Sequence, residues 1–228
     1  MVDALSALRR IAAFVIVFAA LAAPARAGDG TTFYYLHPSE LNLTILLPPP
    51  PDVASAQESA DEAEVAAAVA GRSRTEFLQA EDDSARTVFF FEPSIGPEFT
   101  DTRLPLTARF FTRIASDVKN LIDIAKAYWD RPRPGGAEKP RGSYPSGHAA
   151  FAAACAIVLA KMLPAKRDAI FIQARTFAEN RIILGLHYPS DVASGWTAGT
   201  LAAYVMMRDR AFKRDFAAAK AELRGAGF

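Results

Sequence analysis

Cysteine is almost absent: Cys155 stands alone among 228 residues. A single thiol closes no internal disulfide and builds no multi-thiolate metal site. Histidine is scarce as well, with three copies, so any role for it is easily audited. Net charge is missing: 26 basic and 25 acidic side chains leave +1, which gives no excess for gripping a polyanion and argues against general nucleic-acid binding. No apolar run reaches the ~20 residues a helix needs to cross a bilayer; those present are Ile11–Ala23, 149–160 and 201–207. Strand-like alternation is almost absent and no segment repeats another. At 51 % hydrophobic and 22 % charged, the bulk of the chain is neither disordered nor collagen-like.

What is present begins with a leader. Arg9 and Arg10 precede the apolar run, Pro24 breaks it, and Ala25-Arg26-Ala27 offers small residues where a signal peptidase reads. Residues 1–27 therefore read as a cleaved secretory signal, with an uncleaved anchor as the alternative. The expected domain is 28–228. Residues 28–52 lack helical period and end in Pro48-Pro49-Pro50-Pro51, which reads as an extended strap or a loose arm. The remainder, 53–228, reads as a helical core.

Within that core, 53–87 spaces its apolar residues three or four apart and predicts one or two amphipathic helices. A Pro- and Gly-punctuated stretch covers 93–105. A helix is predicted over 106–129, with Phe110, Phe111, Ile114, Val118, Leu121, Ile122 and Ile124 as its apolar stripe, stopped by Arg131-Pro132-Arg133-Pro134. Residues 147–163 are apolar on every face and 190–208 nearly so, which marks two buried central helices. Gly195 and Gly199 suit close helix contact there. Further helices are expected over 166–184 and, as a polar terminal element, 210–223. The fold class is all-α: a single-domain bundle of about seven helices.

Chemistry gathers at helix ends. Lys126 and Arg133 lie seven apart across the end of one helix. Ser146-Gly147-His148 opens the buried helix, where unpaired N–H groups and a partial positive charge suit an oxyanion. Ser146 reads either as a capping serine or as a donor to the anion. Asn180-Arg181, His187 and Asp191 meet at the junction of two helices, and the turn set by Pro189 brings Asp191 back toward the imidazole. A carboxylate on one ring nitrogen fixes the tautomer and leaves the other free to act. A metal centre lacks ligands, since His37 is the one other histidine.

Together these blocks resemble the signature of the type 2 phosphatidic acid phosphatase superfamily. It consists of Lys126 and Arg133-Pro134, then Pro145-Ser146-Gly147-His148, then Arg181, His187 and Asp191. Within it the chain is most similar to the class A bacterial non-specific acid phosphatases, whose longer signature Gly142 to His148 matches. Asn180 stands where that family usually has serine, and Ala149 where it has threonine.

The resemblance implies a secreted, periplasmic phosphomonoesterase that needs no metal or other cofactor. His187 is the implied nucleophile forming a phosphohistidine, with Asp191 orienting its ring and His148 as acid and base. Lys126, Arg133, Ser146, Gly147 and Arg181 are the implied phosphate ligands, with Asn180 and Tyr144 behind them. Phosphotransfer to alcohols is a further implied outcome. The implied partners are small phosphomonoesters and, by family analogy, other copies of the chain; neither nucleic acid nor stable membrane insertion after signal cleavage is implied. Alternatives are a membrane lipid phosphate phosphatase of the same superfamily, a vanadium-dependent haloperoxidase and a non-catalytic phosphate-binding protein. An imidazole titrating near ~6.5 and opposing needs on two histidines predict a bell-shaped, acid-leaning pH profile.

Overall fold

The first unit of architecture is a helix with nothing but small and apolar side chains on almost every face. In the computed structural model, which describes residues 32–137 and 139–228, that helix, Gly147–Met162, is buried along nearly its whole length. The leader at 1–27 lies outside the described residues. In chain order the helices are α1 (Leu43–Leu46), α2 (Ala56–Gly71), α3 (Arg74–Asp82), α4 (Glu92–Ile95), α5 (Pro105–Trp129), α6 (Gly147–Met162), α7 (Arg167–Ile183), α8 (Pro189–Met206) and α9 (Arg210–Gly225). No strand occurs among the described residues, and Thr32–Phe228 forms one compact unit. None of the described helices is long and apolar enough to cross a membrane.

Local chemistry sets the boundaries. Ser55, Ser73 and Asp209 cap α2, α3 and α9 by accepting from the N–H groups of Glu58, Glu76 and Phe212. Glu76 returns the bond to the Ser73 N–H, completing a capping box. Pro105 and Pro189 occupy the first turns of α5 and α8, where a missing N–H costs nothing.

Helix α6 is the axis, packed between α7, α8 and α5, with α9 on the outer side of α5. The approach of α8 is governed by two glycines. A methyl group on Gly199 would lie 2.0 Å from the Ala150 carbonyl oxygen, and one on Gly195 would lie 2.3 Å from that of Ser146. Only hydrogen allows the two backbones to sit this close.

Several expectations change. The strap is not a loose arm. The buried Asp117 carboxylate on α5 accepts from the N–H groups of Tyr34, Tyr35 and Leu36 at 2.7, 2.7 and 3.0 Å. Tyr35 packs its ring against both Phe110 and Phe212, and Leu36, Leu41, Leu43 and Leu47 are buried in the same core. Most of the strap's apolar residues are thus used within the chain. Residues 88–95 form a 3₁₀ turn followed by α4, drawn inward by Phe90 and Phe91, with Phe90 stacked on Phe177 at 4.2 Å. Ile124 is 50 % exposed and leaves the stripe, because two residues from Ile122 is more than half a turn away. The terminal helix is amphipathic rather than simply polar: Phe212, Ala219 and Leu223 are buried on α5.

Replacing Gly199 by Ala should cost about 1–3 kcal/mol, the usual penalty of overpacking, read as a lower midpoint in urea unfolding. Gly71→Ala, at the end of α2 where a methyl group meets nothing within 4 Å, should leave the midpoint unchanged or slightly raised.

Candidate active site

The end of α7 places the central histidine. Gly185, at φ +68°, takes the left-handed position that ends the helix. The N–H of Leu186 then bonds back to the Arg181 carbonyl at 3.0 Å and that of Gly185 to Ile182 at 2.8 Å, a Schellman closure. The His187 N–H also reaches the Arg181 carbonyl, at 3.2 Å. The turn therefore wraps His187 around the base of Arg181. Pro189 starts α8 immediately, and Asp191 falls in its first turn.

Asp191 is fully buried and every contact is specific. Its Oδ2 lies 3.2 Å from His187 Nδ1 and accepts from the Tyr188 N–H at 2.9 Å. Its Oδ1 accepts from Arg131 Nη1 at 2.7 Å. An Nδ1–H donating to this carboxylate leaves the lone pair of His187 on Nε2, where Arg133 Nη1 donates from 3.2 Å. Arg133 also donates to the carbonyls of Leu186, Arg141 and Gly142, so it ties the 141–142 loop to the turn that carries the histidine.

The cleft has two compartments. One of about 250 Å³ is lined by Ser84, Arg133, Lys139, His148, Arg181, Leu186 and His187. The other, of about 230 Å³, shares Arg133, Lys139, His148 and His187 and adds Lys126, Gly147 and further cations. Both imidazoles thus face common space, with Arg181 on one side and Lys126 on the other. Arg181 is 2 % exposed, and its Nε has no hydrogen-bond partner among the described residues. Lys126 spends two of its three N–H donors on the carbonyls of Gly142 and Ser143, at 2.6 and 2.8 Å. Two larger cavities, of about 480 Å³ each, lie elsewhere and are mostly apolar. Among the described residues no group of three or more His, Cys, Asp or Glu side chains is arranged to hold a metal ion.

The remaining expected residues stand further back. Ser146 is the N-cap of α6, its Oγ accepting weakly from Ala149 N–H at 3.4 Å, and it lines neither compartment. Tyr144 turns away from the cleft: its ring meets Trp129 edge-on and its hydroxyl donates to the Pro48 carbonyl, fastening the tetraproline. Asn180 donates to Asp83 at 2.7 Å, which fixes the end of α3 beside the cleft. The next residue, Ser84, presents its carbonyl to His148 Nε2 at 3.1 Å.

Electrostatics departs from the simple expectation. His148 does not stay near the ordinary imidazole value: burial and the nearby Arg181, Arg86 and His187 pull it well below, against the Ser84 carbonyl. His187 is pulled down to about 4, chiefly by burial, with Asp191 opposing and Lys126 and Arg133 assisting. Burial and Arg133 bring Lys126 down to about 7 and Arg181 to about 10. Burial pulls Asp191 upward, yet His187, the Tyr188 N–H and Arg131 hold it below the usual carboxylate range.

Residues not singled out from the sequence complete the support. Arg131 donates to Asp191 and Ser190, pairs with Asp61 at 3.0 Å, and lies 4.0 Å over the Tyr188 ring. Asp61 also accepts from the Ser190 hydroxyl. The available signal was Asp61 itself, a carboxylate four residues before Val65 on the face that α2 buries.

Arg131→Met should strand two buried carboxylates and cost about 3–5 kcal/mol, whereas Arg175→Met, which removes an exposed guanidinium stacked on Trp196, should cost under about 1 kcal/mol; urea unfolding of both separates them. A second expectation concerns acid. Between pH 6.5 and about 4 the unfolded chain protonates its imidazole at position 187 while the folded chain refuses that proton. Stability therefore falls as pH drops through this window, by about 3 kcal/mol from this group, and His187→Ala should flatten that part of the curve.

The family model of the PAP2 superfamily matches residues 108–215. An acid phosphatase of Zymomonas mobilis is 26 % identical, over 86 % of this chain and 79 % of the relative. Non-specific acid phosphatases of Providencia stuartii and Salmonella typhimurium are 29 % and 26 % identical, over 83 % and 80 % of this chain and 84 % and 80 % of theirs. The structure also resembles a transmembrane PAP2-type phosphatidylglycerolphosphate phosphatase from Bacillus subtilis, with a TM-score of 0.52 and 21 % identity over 68 % of this chain and 87 % of that one, a likeness of fold alone. The matched segment holds Lys126, Arg133, Gly147, His148, Arg181, His187 and Asp191, so residues 108–215 carry the match to the PAP2 superfamily.

Proposed function

We propose that this protein is an exported acid phosphatase that hydrolyses small phosphomonoesters through a phosphohistidine, without a metal. The observation that carries this reading is the pairing at one cleft of His187, whose Nε2 is left basic by the Nδ1 contact to Asp191, with His148 and the guanidinium groups of Arg133 and Arg181.

In the first step His187 Nε2 attacks phosphorus in line and the ester P–O bond breaks. The leaving oxygen takes a proton from His148. In the second step a water oxygen attacks phosphorus and gives a proton to His148, and the N–P bond breaks to release phosphate and neutral His187. Arg133, Arg181 and the free donor of Lys126 stabilise the charge on the transferring group, the task a metal ion performs elsewhere. An alcohol in place of water gives phosphotransfer. The N–H of Gly147, at the start of α6, adds a donor; the Ser146 hydroxyl acts through the cap.

His148 must carry a proton to serve as acid, although the surrounding cations oppose it. A phosphate dianion offsets Arg181, the strongest of these charges on His148, and returns the proton to His148. The substrate thus assembles its own acid catalyst. Residues 1–27 are proposed as the export signal, and assembly into homo-oligomers rests on the family resemblance alone.

Turnover of a panel of phosphomonoesters at pH 5–7 tests the reading. His187→Ala should lose roughly 10³-fold or more in kcat together with the radiolabelled phosphoenzyme trapped on acid quench. Arg181→Ala should lose about 10²–10³-fold. Activity should survive a strong chelator, and vanadate should inhibit as a five-coordinate phosphorus mimic; loss of activity to chelator would overturn the metal-free step. The basic limb of the pH profile should lie at higher pH in kcat than in kcat/KM, since bound substrate raises the His148 value; coincident limbs would remove that role of the dianion. N-terminal sequencing of the exported protein checks cleavage after Ala27.

A further inference from the structure

The reaction just described uses Lys126, Arg133 and Arg181 as its cations. The second compartment of the cleft holds four more: Arg86, Lys119, Lys139 and Arg141, with Asp123 as its one carboxylate. This concentration is local, because the whole chain is close to neutral. Asp123 is shared, lying 2.6 Å from Lys119 and 3.4 Å from Arg141, so it offsets one of that pair. Among the described residues Arg86 and Lys139 make no ion-pair contact and no side-chain hydrogen bond; Asp123 acts on Arg86 only from a distance.

Their placement is directional. Arg86 Nη1 lies 3.4 Å from where a Gly147 methyl group would sit, at the start of α6. Its segment is fastened to the cleft wall just upstream by the Asp83 bond to Asn180 and the Ser84 contact with His148. Lys139 lines both compartments and stands at their boundary. A monoester dianion on the reacting side is already matched by three cations. It leaves the charge of Arg86, Lys139 and the Lys119–Arg141 pair unanswered, and a cleft walled by one sign of charge draws an anion of the other.

We propose that this compartment receives a second phosphate carried on the leaving group, so that the favoured substrates are small bisphosphorylated molecules. One phosphate sits between His187, Arg133 and Arg181 while the other meets Arg86, Lys139 and Arg141. The reacting chemistry is unchanged, and the proposal rests on the phosphatase reading for its turnover assay.

The test compares butane-1,4-diyl bisphosphate with butyl phosphate, as a ratio of kcat/KM at low salt. Two equivalent phosphates alone give a ratio of two. The wild-type ratio should exceed about tenfold and shrink as salt screens the subsite. In the double variant Arg86→Gln, Lys139→Gln it should fall toward two, with butyl phosphate turnover in the same preparation reporting a folded site. Lys213→Gln, an exposed cation on α9, should leave the ratio at its wild-type value and so exclude general charge steering. A wild-type ratio near two, or a double variant that keeps the wild-type ratio, overturns the subsite. Should the wild type hydrolyse neither compound, the phosphatase reading fails instead, and calorimetry on the same protein decides the subsite: tighter binding of the bisphosphate than of butyl phosphate supports it, and equal binding overturns it.

Discussion

The buried residue Asp191 is the joint on which the cleft hangs. Its carboxylate holds His187 in one tautomer, accepts from the Tyr188 N–H and is gripped by Arg131. Its backbone carbonyl accepts from the Ser146 N–H at 2.9 Å, which fixes the start of α6 against the start of α8. The same corner is where Gly195 lets α8 touch the Ser146 carbonyl. One residue therefore sets the relative position of the two imidazoles, since His148 rides on α6 and His187 on the turn into α8. A buried carboxylate is tolerated only when its lone pairs are filled, and here the groups that fill them are the ones the site has to position.

The remaining architecture keeps that corner rigid. Helix α6 has no polar face to orient toward water, so it is stable only at the centre, where α5, α7 and α8 cover it. Being central, it carries the N-terminus with Gly147 and His148 to a point that the ends of α5 and α7 also reach. The strap acts at a distance: Asp117 pins its start to α5 and the Tyr144 hydroxyl pins Pro48 beside the loop leading into α6. Loop residues 131–137 and 139–145 have little regular structure of their own. They are held by Lys126 and Arg133 donating to their carbonyls, so these two cations organise the loop as well as face the cleft.

Patterns with a single physical cause were readable from the sequence. The run at 147–163, apolar but for His148 and Lys161, can only be interior along most of its length, and the long stripe on α5 can only face a core. Glycines at 195 and 199, one turn apart, meant close packing. Spacing also placed the charged and imidazole groups at helix ends. What escaped was whatever depends on two distant segments meeting. Arg131 reads as one of a pair of Arg-Pro dipeptides, of which the spacing from Lys126 picks out Arg133 and leaves Arg131 without a role; only the arrival of Asp61 from α2 shows that its guanidinium turns inward onto Asp191 while that of Arg133 faces the cleft. Arg86 lies in a polar stretch and gains meaning only where that stretch crosses the start of α6. The short helices at 43–46 and 92–95 have no period to detect, since one turn is shorter than the pattern that would announce it.

The same burial that positions the site also makes it electrostatically unhappy when only protein surrounds it. Four of its basic groups, Lys126, His148, Arg181 and His187, are held below their ordinary values, in each case chiefly by loss of water and partly by neighbouring positive charge. Each shift is a cost to the folded state at neutral or acid pH, because the unfolded chain would protonate these groups freely. A bound dianion opposes the neighbouring positive charge that depresses all four. Binding should then be accompanied by proton uptake at the groups whose depressed values lie near the working pH, Lys126 foremost, and by a rise in unfolding temperature larger than the contacts to phosphate alone would give. Two calorimetric titrations at pH 7.5 with inorganic sulfate, a tetrahedral dianion that does not itself titrate there, in buffers of different ionisation enthalpy, measure that uptake directly. Identical heats in the two buffers would mean that Lys126 is already charged, and that the cleft tolerates its crowd of cations by letting in water rather than by giving up protons.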